Sequence, residues 1–344
     1  MNSRPHPANN RLKLASFTYA LTHRNAPVFV EPGLHQEAVF DARKASRSTD
    51  KGEFRKLCSV TINGLRVARV ICMTSVRGNR LNWVAVVVLC FAVVHGAGPA
   101  FAGTALQPQV KRLDDIAPKR ILFVGNSYLY YNDSVHNHVR RIAEENGPHK
   151  PVDYQYKSAT IGGARLSHHF IESLLQRGRL GIDKPFDLVI LQGGSGEVLT
   201  VQSRRAFANT AAEMAVKIRR TKAEVALYMT PAYVQPHEDY DPDMIDKIVR
   251  TYVKTGNELG ALVIPVGLAF DLAYERRPDI VLHKTFDGTH PSMLGTYLAA
   301  CVVYASVYQK PVTNIRYDYF GAVGEDEARF LRAIADETVR EFYK

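Results

Sequence analysis

The chain has 344 residues, of which 46% are apolar, enough to bury a sizeable core in one or two domains. The formal net charge of +10 suggests an anionic partner, but it is concentrated upstream: residues 1–72 carry +7, residues 73–102 carry +2 and residues 103–344 carry +1. The main part of the chain is therefore near neutral, and its charge balance does not indicate a nucleic-acid partner.

The cysteines lie mostly in the upstream part as well. Cys58, Cys72 and Cys90 precede residue 103, which leaves Cys301 alone in the rest of the chain. A single cysteine forms no internal disulfide and has no companions for a zinc site.

Residues 73–102 have the pattern of a secretory signal peptide. Arg77 and Arg80 form a positive region, residues 83–94 are apolar, and Ala100-Phe101-Ala102 gives a cleavage pattern before Gly103. Because signal peptides belong at the N-terminus, we expect translation to start at Met73. Residues 1–72 are then a wrongly assigned or disordered extension.

The alternative is a genuine cytoplasmic segment followed by a membrane anchor. Residues 81–102 carry no charge over 22 positions, but the Gly/Pro-rich second half makes a poor membrane span. We therefore expect export to the periplasm or the extracellular space, with no stable membrane span after cleavage at Ala102–Gly103. Membrane anchoring by residues 81–102 stays open.

Residues 103–344 alternate short apolar runs with amphipathic stretches. The runs predict strands at 120–124, 154–158, 187–192, 224–229 and 261–266, and the second has the alternating pattern of an edge strand. Helices are predicted at 134–146, 203–220 and 243–259, after Pro291, and at 325–343. Continuous apolar runs suit strands that are buried on both faces, so the pattern predicts a doubly wound α/β domain with a parallel sheet.

Residues suited to chemistry follow these strands, where the carboxyl ends of a parallel sheet bind ligands. The first strand leads into Gly125-Asn126-Ser127, the second into Gly162-Gly163, and the motif "DGTHP" with Asp287 and His290 follows the fifth. Ser127 alone would more often be a helix cap. A serine, glycine amides and an Asp/His pair at one sheet edge together suit acyl transfer.

These motifs, in this order, resemble the SGNH (GDSL-like) hydrolase superfamily over about residues 120–310, and most closely a bacterial branch with a "GNS" first block and a "DGxHPS" last block. The resemblance implies a three-layer α/β/α sandwich with a five-stranded, parallel, flavodoxin-like sheet. It also implies esterase activity without metal or cofactor. Ser127 would be the nucleophile, His290 the general base and Asp287 its orienting partner, with the Ser127 and Gly163 amides as oxyanion donors.

The third block departs from the family pattern. The superfamily supplies a third oxyanion donor there from an Asn, and the branch often from a Gln, but the matching position in this chain is Gly194. Either Gln192 or Ser195 substitutes, or the oxyanion hole has two donors. The catalytic power of the site therefore stays open, and so does a non-catalytic, glycan-binding role.

The substrate is constrained only by export and by the resemblance. We expect an acyl ester, such as an acetyl ester, on a carbohydrate or cell-envelope glycan, with lipid or small-molecule esters and acyl transfer to a hydroxyl as alternatives. Tyr128 and His169 are candidate substrate-binding residues, although a structural role suits each equally well. The sequence does not indicate an oligomeric state.

Overall fold

The computed structural model describes three strands upstream and then all of residues 106–344. The chain divides into two units, residues 1–96 and 97–344. Residues 75–102, which hold most of the predicted signal peptide, and its predicted cleavage site lie outside the described residues. The domain boundary at residue 102 therefore stays a prediction.

The described part of the first unit is a three-stranded antiparallel sheet in the order β1-β2-β3, formed by Val39–Asp41, Phe54–Ile62 and Leu65–Thr74. The sequence analysis predicts no element in residues 1–72, so these strands are a difference from it. The overlooked signal is Asn63-Gly64, which separates β2 from β3; an Asn-Gly pair between two apolar-containing runs is a strong hairpin signal.

The second unit has five strands and eight α-helices among the described residues. The strands are β4 (Arg120–Gly125), β5 (Gln155–Thr160), β6 (Leu188–Gln192), β7 (Glu224–Tyr228) and β8 (Leu262–Ile264). The helices are α1 (Ser127–Tyr130), α2 (Val135–Asn146), α3 (Ile171–Leu174), α4 (Val201–Arg219), α5 (Met244–Leu259), α6 (Val266–Arg276), α7 (Met293–Tyr308) and α8 (Glu325–Phe342).

The five strands form one parallel sheet in the order β5-β4-β6-β7-β8. The chain leaves β4 toward β5 on one side and then returns to β6 on the other side, so the strand order reverses at β4. Ligands of such sheets bind outside the carboxyl ends of the strands at this switch point. The predicted fold class is confirmed, and β5 is an edge strand as predicted.

Apolar residues of each strand alternate between two buried cores. In β4, Ile121 and Phe123 face the core shared with α2, α7 and α8, whereas Leu122 and Val124 face the core shared with α4 and α5. All four side chains are essentially inaccessible to solvent. Burial on both faces is the physical reason that these strands read as continuous apolar runs rather than alternating ones.

Helix α6 is the longest element of the second unit that the sequence analysis missed; the four-residue helices α1 and α3 were not predicted either. The fifth strand was predicted to run to residue 266, but it ends at Ile264, and Pro265 separates it from a helix that begins at Val266. This stretch is apolar around most of the helix surface because α6 packs among α5, α7 and α8. Without a polar face it has no helical period to detect.

No helix in residues 106–344 is long and apolar enough to cross a membrane.

Candidate active site

Ser127 lies at the switch point, directly beyond the end of β4. Asn126 is the N-cap of the short helix α1, and its Oδ1 accepts a hydrogen bond from the Tyr128 amide at 3.1 Å. Ser127 is therefore the first helical residue rather than the cap, and its hydroxyl is not used for capping. Ser127 is buried, with 6% of the residue exposed to solvent.

The hydroxyl of Ser127 faces the imidazole of His290. Ser127 Oγ lies 2.9 Å from His290 Nε2, and His290 Nδ1 lies 2.7 Å from Asp287 Oδ2. The three side chains thus form a continuous hydrogen-bonded chain, although 163 residues separate Ser127 from His290. In this geometry the Nδ1 proton is held by the carboxylate, and the Nε2 lone pair is directed at the serine hydroxyl.

The turn that carries Asp287 orients its carboxylate. Asp287 Oδ1 accepts hydrogen bonds from the amides of Thr289 at 2.9 Å and His290 at 3.1 Å. Partial desolvation raises the pKa of Asp287, but these amides and the His290 ring outweigh it and leave the pKa below its usual value. Gly288 adopts φ +64°, and a side chain there would overlap the Val234 carbonyl, so only glycine fits this turn.

Two backbone amides remain available near Ser127. Gly163 has φ +68°, is exposed, and has open space where a side chain would project. Among the hydrogen bonds of residues 106–344, none uses the N–H of Ser127 or of Gly163 as its donor. Both amides can therefore donate to a bound group.

Asn126 and Gln192 connect the loops that carry these groups. The Gln192 Oε1 atom accepts a hydrogen bond from the backbone N–H of Asn126 at 2.9 Å. The side-chain Nδ2 group of Asn126 donates to the Ala164 carbonyl at 3.0 Å. Ala164 follows Gly163, so Asn126 fixes the glycine loop relative to Ser127. The sequence analysis gave Asn126 no role; the signal was a polar residue directly after a buried apolar strand.

The third block does not present Gln192 as a free donor. Gln192 is fully buried, and its Nε2 group donates to the Gly193 carbonyl while its Oε1 is bound to Asn126. The Gly194 amide is also occupied, because it donates to the buried Glu197 carboxylate at 2.5 Å. Burial raises the pKa of Glu197, while the Gly194 amide and nearby Arg165 act against that change.

Ser195 lies in a network of hydroxyl groups. Its side chain lies beside the hydroxyls of Tyr128 and Tyr233 and acts to lower the pKa of each, against the larger effect of burial. The Tyr128 hydroxyl also lies 2.6 Å from Thr289 Oγ1, in the turn that carries the Asp/His pair. Burial raises the pKa of Tyr128, so its hydroxyl stays protonated, and its contact with Thr289 connects the first and last blocks.

The two candidate substrate-binding residues are both buried. Tyr128 is 3% exposed, and its ring edge faces the His290 imidazole at a centroid separation of 6.2 Å. His169 lies beside the Gly125 carbonyl, which acts to raise the pKa of its ring, and its Nε2 has no hydrogen-bond partner within residues 106–344. Desolvation lowers the pKa of His169, which favours the neutral ring.

An aromatic stack borders the imidazole on its accessible side. The Tyr131 ring stacks on His290 with centroids 4.6 Å apart, and Tyr130 stacks on Tyr131 at 5.5 Å. Tyr130 is 40% exposed, so the stack extends from His290 to the surface.

No group of three or more His, Cys, Asp or Glu side chains in residues 106–344 is arranged to hold a metal ion.

Neither family models nor curated proteins match the sequence. Solved structures do resemble it. A DUF4886 family protein from Bacteroides uniformis has 18% identity and a TM-score of 0.51, over 65% of this chain and 96% of that chain.

Two further structures score below 0.5. One, from Slackia heliotrinireducens, is described as a candidate SGNH hydrolase and has 23% identity and a TM-score of 0.44, over 54% of this chain and 97% of its own. The acetyl xylan esterase AlAXEase has 16% identity and a TM-score of 0.45, over 55% of this chain and 99% of its own. Together with the observed sheet order and helix layers, the likeness to the DUF4886 structure supports the predicted architecture, a three-layer α/β/α sandwich around a five-stranded parallel sheet.

Proposed function

We propose that the protein is an exported serine esterase that hydrolyses an acyl ester through an acyl-enzyme. The observation that carries this proposal is the hydrogen-bonded chain from Ser127 Oγ through His290 to Asp287, with separations of 2.9 and 2.7 Å. A serine hydroxyl is a poor nucleophile at neutral pH, and it needs a base within about 2.6–3.2 Å that a third group orients. All three parts are present.

In the first half-reaction, Ser127 Oγ attacks the ester carbonyl carbon as His290 Nε2 takes the hydroxyl proton. The carbonyl oxygen becomes an oxyanion, which the Ser127 and Gly163 amides stabilise. Collapse of this intermediate breaks the bond to the alcohol, and His290 gives its proton to the leaving oxygen. In the second half-reaction, water attacks the acyl-enzyme, again with His290 as base, and releases the acid and Ser127.

Asp287 holds the Nδ1 proton and stabilises the imidazolium that forms twice in each cycle. In this role its fixed position matters as much as its charge, and two backbone amides fix it. Removal of an oxyanion donor costs about 2.7–4 kcal/mol in comparable enzymes. A hole with only two backbone donors is therefore compatible with catalysis at a reduced rate.

We assign the substrate to the acyl esters of carbohydrates, such as acetyl esters. The support is the Tyr130–Tyr131 stack beside His290, because the leaving alcohol must lie next to the base and aromatic faces suit sugar rings. The expected observation is that Tyr130→Ala raises KM for an acetylated oligosaccharide severalfold and leaves KM for a simple alkyl acetate unchanged. An equal change for both substrates would contradict this assignment.

The activity itself is tested with p-nitrophenyl acetate and butyrate. Ser127→Ala should lower turnover by at least about 10³-fold, since the nucleophile is lost. Ser158→Ala is the matched control, because Ser158 lies on the neighbouring strand β5 and its hydroxyl has no hydrogen-bond partner in residues 106–344. A fluorophosphonate label should map to Ser127 by mass spectrometry.

Unchanged turnover in Ser127→Ala would remove Ser127 as the nucleophile. No turnover of any ester, together with no labelling of the wild-type protein, would instead favour a non-catalytic, glycan-binding protein. Export is tested separately by N-terminal sequencing of the secreted product, which we expect to begin at Gly103. A mature protein that retains residues 81–102 would support the membrane anchor.

A further inference from the structure

Asn132 occupies an unusual stretch of backbone just beyond the nucleophile. It follows helix α1, five residues after Ser127, and has φ +52°. Asp133 and Ser134 continue in the same region, at φ +68° and +64°. Three consecutive non-glycine residues with positive φ are costly, so other contacts must hold this turn in place.

The side-chain amide of Asn132 supplies such contacts. Its Nδ2 atom lies 2.9 Å from the Pro291 carbonyl, 2.8 Å from the Ser292 carbonyl and 2.8 Å from Thr296 Oγ1. An amide has two N–H groups, so the two are shared among three oxygens. Three oxygen atoms surround the Nδ2 group, so this position suits a side chain that donates hydrogen bonds.

These acceptors belong to the segment that carries the general base. Pro291 and Ser292 directly follow His290, and Ser292 is the N-cap of α7, the helix that contains the fully buried Thr296. Residues 281–284 contact the other face of this segment, where the Lys284 N–H donates a hydrogen bond to the His290 carbonyl at 2.7 Å. Asn132 therefore hydrogen-bonds residues 290–296 (the base segment) to residues 127–132 (the nucleophile segment), whereas no hydrogen bond of residues 281–284 in the described chain reaches the nucleophile segment.

The backbone of Asn132 is itself fixed. The Nε2–H of His138 donates to the Asn132 carbonyl at 2.8 Å, and His138 Nδ1 accepts a hydrogen bond from the Tyr317 hydroxyl at 2.9 Å. Burial lowers the pKa of His138, so the neutral ring satisfies both partners at once. The amide of Asn132 thus projects from a turn whose position is set by the core.

We propose that Asn132 is a positioning residue that sets the separation of Ser127 Oγ and His290 Nε2. The inference rests on the proposed esterase function. Without the amide, the base segment keeps its contacts to residues 281–284 and the hydrogen bond between Tyr128 and Thr289, but it loses the three hydrogen bonds that Asn132 makes to it. A displacement of about 1 Å between reacting groups costs roughly 10²-fold in rate.

Two variants test this role. Asn132→Asp keeps the shape of the side chain but replaces the donor by an oxygen that the two carbonyls repel. Asn132→Gly removes the side chain and tolerates positive φ, so it separates loss of the amide from backbone strain. The matched control is Asn137→Asp, since Asn137 Nδ2 binds the Asp133 carbonyl at 2.9 Å in the same turn and has no hydrogen bond to residues 291–296 among those of the described chain.

All measurements are made at a temperature at which circular dichroism shows each variant to be folded. The three quantities are the rate of fluorophosphonate labelling of Ser127 and the values of kcat and KM for p-nitrophenyl acetate. The kcat value is expressed per labelled site. In both Asn132 variants we expect the labelling rate and kcat to fall about 10- to 100-fold. KM should stay within about threefold, and Asn137→Asp should change neither rate by more than about threefold.

A purely structural role would lower the melting temperature and the number of labelled sites but leave the rate per labelled site unchanged, and this result would overturn the inference. So would a rise in KM at constant kcat. If the wild-type protein is labelled and the variants are labelled equally fast, only the positioning role fails. If the wild-type protein is neither labelled nor active, the proposed function fails, and the inference fails with it.

Discussion

Replacement of Asp287 by asparagine should reverse the proton arrangement of His290. Asp287 Oδ1 accepts two backbone N–H groups, from Thr289 and His290, whereas Oδ2 faces the single Nδ1–H of the imidazole. In Asp287→Asn, one of these oxygens becomes an NH2 group. If that group faced the two amides, two hydrogen bonds would be lost; if it faces the imidazole, only one is lost.

The second orientation is therefore favoured by about one hydrogen bond, or roughly 1–3 kcal/mol when a buried donor would otherwise be left unsatisfied. An NH2 group beside Nδ1 requires that nitrogen to be an acceptor, so the imidazole proton moves to Nε2. A protonated Nε2 cannot take the proton of the Ser127 hydroxyl. We expect kcat at neutral pH to fall by about 10⁴-fold, the magnitude that this tautomer change has in a serine protease.

The assay is steady-state hydrolysis of p-nitrophenyl acetate at pH 7.5, with KM expected to stay within about threefold. Asp279→Asn is the control, because Asp279 is exposed and forms no hydrogen bond or ion pair with another residue of the range 106–344. A melting temperature close to that of the wild-type protein would show that the turn is intact. A fall in kcat of less than tenfold would refute the assignment of Asp287 as the orienting group.

Three further predictions concern the oxyanion loops and the response to pH. Gly194→Asn should raise kcat roughly tenfold, because the new side-chain amide would extend toward the Gly163 loop and add a donor. The backbone at Gly194, with φ −63° and ψ 145°, suits asparagine, and a Cβ there would lie 3.4 Å from its nearest neighbours. Gly163→Ala should lower kcat at least tenfold, whereas Gly260→Ala, at a similarly open position with φ +57°, should lower only the melting temperature. The free energy of unfolding should decrease as the pH falls from about 6.5 to 4, because burial lowers the pKa of His283 to about 4 while the unfolded chain takes up its proton near 6.5. The free energies of unfolding from denaturant titrations at pH 7 and 4.5 should differ by about 2.4 kcal/mol because of this residue.

Each of these has a control and a contrary outcome. Gly194→Ala adds a Cβ without an amide and should leave kcat unchanged; an equal gain in both variants would show that the asparagine does not act as a donor. Equal kcat losses in Gly163→Ala and Gly260→Ala would indicate that backbone strain alone is responsible. His283→Leu should flatten the pH dependence, and an unchanged slope would assign the acid sensitivity to other buried groups.

The placement of the strands was predictable because each is buried on both faces. All five predicted strands end within two residues of the observed ends, and the edge strand at Gln155–Thr160 was recognised from its alternating pattern. The same burial hid α6, since a helix that is apolar on most sides has no detectable period. The upstream hairpin was missed for a different reason, because the local Asn63-Gly64 signal was not weighed.

The order of the motifs along the chain, and the residue types in them, are properties of the sequence alone. Ser127, Gly163, Asp287 and His290 follow strands of one parallel sheet, and parallel strands necessarily end at one edge. What only the tertiary structure decides is how that edge is assembled. The side-chain amides of Gln192 and Asn126 hydrogen-bond neighbouring loops, and that of Asn132 joins the turn after Ser127 to the segment after His290. No pattern within a strand or helix encodes these contacts, because each one spans between 38 and 159 residues of chain and exists only after the sheet has formed.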